Sequence, residues 1–157
     1  MRWIKFSTLG SSVAEVEPYP KTNLLSFGSQ GWLKEEEIRA LGYLPEDECK
    51  LKVAKLIIEL YRRPKGLSEY GDFLLMCREA SKLFGWEYRC VTYDNRVEPN
   101  AKRLAMEFLK QAPEGALTVL FGSGISAGPS VTAGSMWTAA YIVLPPDVLE
   151  AVQEETQ

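Results

Sequence analysis

Two short groups of residues carry the chemistry this sequence offers. "DNR" supplies a carboxylate, an amide and a guanidinium at Asp94, Asn95 and Arg96. "GSGIS" supplies Gly122, Ser123, Gly124 and Ser126 directly after the apolar run "LTVLF". Glycine lets a chain turn without a Cβ clash, so backbone N–H groups there can point into one concavity and form an anion nest. A guanidinium beside such a nest suits bidentate contact with phosphate or carboxylate. Together these groups predict a site for a phosphate-bearing small molecule, a nucleotide or dinucleotide. Backbone N–H groups of the glycine turn would hold phosphate, Arg96 would neutralise charge, and Asp94 or Asn95 would hydrogen-bond a sugar or base. The rest of the Gly/Ser stretch, 127–135, would act as a lid, since the whole stretch, about fourteen residues, is as long as loops that are usually functional or disordered.

The composition narrows what else is possible. The chain has no histidine, which removes Ser-His-Asp and Cys-His catalysis, most catalytic zinc sites and histidine proton shuttling. Its cysteines, Cys49, Cys77 and Cys90, are odd in number and have no paired spacing, so they predict neither a disulfide framework nor a zinc site. A net charge of −3 with scattered basic residues argues against binding to nucleic-acid backbone. The densest basic group, "YRRPK", ends a predicted helix, where positive charge offsets the dipole. Acidic runs in "KEEEIRA" and "PEDE" sit at predicted helix starts and read as dipole-favourable surface, not as a metal site. No apolar run is long enough to span a bilayer, and "MRWIKFSTLG" lacks the apolar stretch of a secretory signal, so a cytoplasmic location is expected.

The turn "GSGIS" resembles the phosphate turn of the sirtuin family, Gly-Ala-Gly-Ile-Ser, which contacts the pyrophosphate of NAD in that family. The resemblance covers these residues alone. In sirtuins the turn opens the domain, whereas here a short tail follows it, and the family's catalytic histidine has no counterpart. The resemblance therefore implies a phosphate-facing turn and no deacylase activity.

These groups need elements to position them. Alternation over 2–9, with Ile4 and Phe6 on one face, predicts a half-buried strand. "VAEVE" and "NLLSFGS" predict two more, the former ended by the prolines of "PYPK". Three helices follow. The first closes at Gly42. The second starts at Pro45 with Cys49, Val53, Leu56, Ile57 and Leu60 on one face. The third is capped by Ser68, carries Phe73, Met76, Cys77 and Ala80 inward, and closes at Gly85. Strand 86–93, a helix from Ala101 and the almost wholly apolar strand 116–121, patterned as one covered on both faces, read as a βαβ unit with neighbouring parallel strands. "MWTAAYIVL" predicts a last strand and Pro146 opens a last helix. The expected fold is a single α/β or α+β domain, 1–157, with a mixed sheet. Parallel strands 86–93 and 116–121 would bring both chemical groups to one rim, where open α/β sheets bind ligands.

The functional expectation is a binding, sensing or sequestering module, because candidate general bases are few. An alternative is a non-enzymatic assembly or interaction subunit of a larger complex, such as a viral particle, with a protein partner or a homo-oligomer, in which the Gly/Ser loop orders against a neighbouring chain and the N-terminal strands pair edge to edge. A second alternative is a carboxylate-based, metal-assisted phosphoesterase using Asp94.

Overall fold

In the computed structural model, residues 2–9, 13–19, 34–63, 66–123 and 135–155 are described. The chain is α+β, built from two antiparallel sheets and five helices. The first sheet has β1 (Trp3–Leu9) between β2 (Val13–Tyr19) and β3 (Tyr43–Pro45). β1 buries Ile4 completely, as its alternation requires. β2 does not stop at its first proline. It runs to Tyr19, with Pro18 opposite Ile4. An edge strand tolerates proline because one side of its backbone needs no ladder partner. The predicted strand "NLLSFGS" lies outside the described residues. The third strand is instead β3, formed where the chain leaves the left-handed Gly42 (φ +97) and pairs with Trp3, Ile4 and Lys5.

Helix α1 (Glu35–Ala40) precedes that glycine, and α2 (Glu46–Arg62) starts directly after β3. Arg39 of α1 grips the Glu48 carboxylate of α2 through two bonds of 2.9 and 3.0 Å. α2 buries Cys49, Val53, Ala54, Ile57 and Leu60, the face its periodicity defines. Helix α3 (Leu67–Phe84) is capped by Gly66, not by Ser68, which sits inside the first turn and bonds Glu69 at 2.9 Å. The Glu69 carboxylate folds back over Gly66, where a Cβ would stand 2.9 Å from its Oε2. Gly85 closes α3 in the left-handed conformation (φ +73), as expected for a glycine at that place.

The second sheet corrects the expected βαβ unit. Strands β4 (Tyr88–Asp94) and β5 (Leu117–Ser123), joined by α4 (Ala101–Leu109), are not neighbours. β6 (Met136–Ile142) lies between them and is antiparallel to both. β4 and β5 therefore still run the same way, as in a split βαβ arrangement. The apolar strand β5 is an edge, and the strand covered on both faces is β6, whose residues from Thr138 to Ile142 are all buried. Side chains alternate across a strand. Ala140 and Ile142 accordingly join the main core with Ile4, Phe73, Met76 and the buried faces of α2 and α3, while Ala139 and Tyr141 join a second cluster with Ala105 and Phe108 of α4. Helix α5 (Pro146–Glu155) adds Val148 and Val152 to the main core.

Candidate functional site

Asp94 ends β4 and Ser123 ends β5, and both stand opposite Met136, the first residue of β6. The ends of β4 and β5 thus lie on the same rim of the sheet, one on each side of β6. Two strand spacings separate them, about 10 Å. A backbone bond ties the rim together: the Asn95 N–H donates to the carbonyl of Ser135 at 2.7 Å, just before β6 begins. Gly124 and Ser126, together with most of the predicted lid, lie outside the described residues.

The first turn is tightly organised. Asp94 Oδ1 accepts from the Arg96 backbone N–H at 2.9 Å and from Arg96 Nε at 3.1 Å, while Oδ2 accepts from Nη2 at 2.9 Å. The Asp94 carbonyl accepts from the N–H groups of Val97 and Glu98. Arg96 is therefore held as a fork on its neighbour, yet its side chain remains 74% exposed. The side-chain and backbone bonds from Arg96 hold the Asp94 carboxyl below its ordinary range, and Asp94 in turn raises the Arg96 guanidinium.

Asn95 has a structural task. Its Oδ1 accepts from the Ala101 N–H at 2.9 Å and so satisfies the first helical donor of α4. The formal cap residue, Asn100, is left-handed (φ 70) and makes no side-chain cap bond. A side chain six positions from its target is not a sequence-level capping signal, so this role could not be read from spacing.

Gly122 is likewise occupied. It pairs with Trp137 across the ladder, and a Cβ there would stand 3.1–3.2 Å from three atoms of the indole. The absent side chain makes room for the ring. Lys102 of α4 places its ammonium 4.9 Å from the centre of the same ring, within cation–π range. Tyr93 is Trp137's partner on the other side, so Tyr93, Trp137 and Gly122 form a row across the sheet one step in from the rim. No local sequence signal connects Trp137 to Gly122, because the pairing joins residues of two different strands.

On the opposite face, Thr92 and Thr138 bring their hydroxyls within 3.0 Å of each other, and Tyr70 of α3 stacks on Phe121 at 4.1 Å. The described clefts lie along α2. One of about 480 Å³ is floored by Phe6, Leu51 and Leu56, and one of about 260 Å³ separates α2 from α5 at Ile58 and Leu149. Among the described residues no group of His, Cys, Asp and Glu is arranged to hold a metal ion, and no helix is long and apolar enough to cross a membrane. No family model, curated protein or solved structure matches the chain.

Proposed function

We propose that the chain is a binding module for a phosphate-bearing ligand, a nucleotide or dinucleotide, held at the rim where β4 and β5 end. The observation that carries the reading is the state of Arg96. Asp94 takes its Nε–H and one Nη2–H, which leaves both Nη1–H groups and the other Nη2–H for a ligand. A guanidinium already fixed by a neighbour loses little rotamer freedom on binding. From the other side of β6 the Gly122–Ser126 turn would supply backbone N–H groups where the chain leaves the ladder after Ser123.

The spacing selects the ligand class. A single phosphate cannot touch turns about 10 Å apart, whereas the phosphate chain and sugar of a nucleotide can. The role is binding, sensing or sequestration. Asp94 is neutralised by Arg96, which disfavours its use as a general base.

A thermal-shift screen against mono-, di- and dinucleotides tests the reading. Ligand at a hundred times Kd stabilises the folded state by about 2.7 kcal/mol and must raise Tm. Arg96→Ala should abolish that rise. No shift with any nucleotide, or a full shift in Arg96→Ala, refutes the proposal.

A further inference from the structure

We infer that the outer edge of β4 is a self-complementary interface through which two copies of this chain pair antiparallel about Cys90. The inference is independent of the ligand reading and rests on hydrogen-bond phase. The Asn95 N–H donates to Ser135 and the Val143 N–H donates to the Glu87 carbonyl. In an antiparallel ladder such bonded pairs alternate with non-bonded ones. Residues 87, 89, 91, 93 and 95 therefore turn their backbone groups toward β6. Tyr88, Cys90, Thr92 and Asp94 turn theirs outward. The Asp94 carbonyl is used by Val97 and Glu98. Tyr88, Cys90 and Thr92 are left with an N–H and a C=O each, and among the described residues no backbone bond reaches them.

Native edges are ordinarily blunted by proline, lysine, bulges or shortness. β2 carries Pro18, and β3 spans Tyr43–Pro45 only. β4 has no proline, lysine or bulge: its sequence is YRCVTYD, its register with β6 runs unbroken from Tyr88 to Asp94, and its one cation, Arg89, lies over the Phe108 ring of α4. The other edge of the same sheet, β5, puts Gly122 at one of its outward positions and half-covers Thr118 and Leu120, whereas Cys90 and Thr92 are exposed.

A two-fold axis through Cys90 sets Cys90 opposite Cys90 and Tyr88 opposite Thr92 in both directions. The outward N–H groups of Tyr88, Cys90 and Thr92 then each meet an acceptor. That axis stands perpendicular to the sheet, so each face of one copy continues the same face of the other. On the α4 face Arg89 comes opposite Val91 and Glu87 opposite Tyr93, with no like charges directly opposed. The result is one continuous antiparallel sheet with α4 of each copy on the same side.

Sedimentation velocity on the full chain over a dilution series tests this. A monomer–dimer equilibrium is expected. Cys90→Lys, which opposes two ammonium groups at the axis, should weaken it at least tenfold without changing the far-UV CD. Cys90→Pro, which removes the central outward N–H, should do the same. If the proline variant fails to fold, the lysine variant decides. A short bismaleimide should join two wild-type chains and fail with Cys90→Ser. A chain that stays monomeric up to the order of 1 mM, where even small interfaces are populated, overturns the inference. So does a dimer of unchanged affinity in Cys90→Lys.

Discussion

Replacing Gly122 by alanine separates the two reasons a glycine can occupy that position. Gly122 is not among the left-handed glycines, so if no side chain crowded it, alanine at this strand position should stabilise the chain, because a mid-strand glycine costs about 0.5–1 kcal/mol. The structure predicts the opposite sign. The new Cβ would meet Trp137 Cζ2 at 3.1 Å and both Cε2 and Cη2 at 3.2 Å. Comfortable carbon contacts begin near about 3.5 Å. Three atoms of one rigid ring are involved, so the indole must shift as a unit, and Lys102 lies 4.9 Å from its centre. Overpacking of this kind costs about 1–3 kcal/mol. After the gain from removing glycine, the net loss is about 1 kcal/mol, which lowers Tm by roughly 2–4 °C for a chain of this size. Urea unfolding followed by circular dichroism measures it. In a Trp137→Leu background the same substitution should become neutral or stabilising, because sites in contact are not additive. A Gly122→Ala protein as stable as wild type, or more so, refutes the contact between indole and glycine.

Other perturbations test the rim and core separately. Asn95→Ala removes the acceptor for the first donor of α4 and should cost about 1 kcal/mol in urea unfolding, as the loss of a cap does. Arg96→Ala should return the Asp94 carboxyl to its ordinary range, read by carbon-13 NMR of the side chain. The folded value lies below the unfolded one, so the Asp94–Arg96 contribution is present above the ordinary carboxylate range and is lost as pH falls through the folded value. The acid limb of the stability profile should accordingly flatten in the variant. Burial pushes the Cys49 thiol up to about 12 and Cys77 higher still; partial burial raises Cys90 as well, but its residue is exposed where the other two are sealed. A maleimide should therefore label Cys90 alone in the folded chain and all three cysteines in urea. Rapid native labelling of Cys77 would contradict the packing of α3 on the sheets.

What could be read from the sequence followed local rules. The inward faces of α2, α3 and α4 obey a helical period, and Gly42 and Gly85 stop helices because they take left-handed conformations. The direction of β4 and β5 was also legible, since a helix connects them. Their neighbourhood was not. Nothing local tells that β6 inserts between them, and an unbroken apolar run looks alike on an edge strand covered from one side and in the centre of a sheet. β3 escaped notice because its Tyr-Leu-Pro is set by pairing with β1 and not by its own pattern. At the rim, residue types were visible but their partners were not. Arg96 and Asp94 are two residues apart, yet their fork depends on the turn beyond Asp94, and Gly122 answers to an indole from another strand. Ser68 lost the capping role because Glu69 folds back over Gly66.

The proposed site requires that residues on either side of β6 act on one ligand. A nitrogen-15 heteronuclear titration of the full chain with a nucleotide measures this directly. The Arg96 Nε–H and backbone N–H and the amides of Gly122 and Ser123 should shift together along one saturable curve, with Lys102 and Trp137 following. Shifts confined to one turn, or to residues along α2, would contradict it.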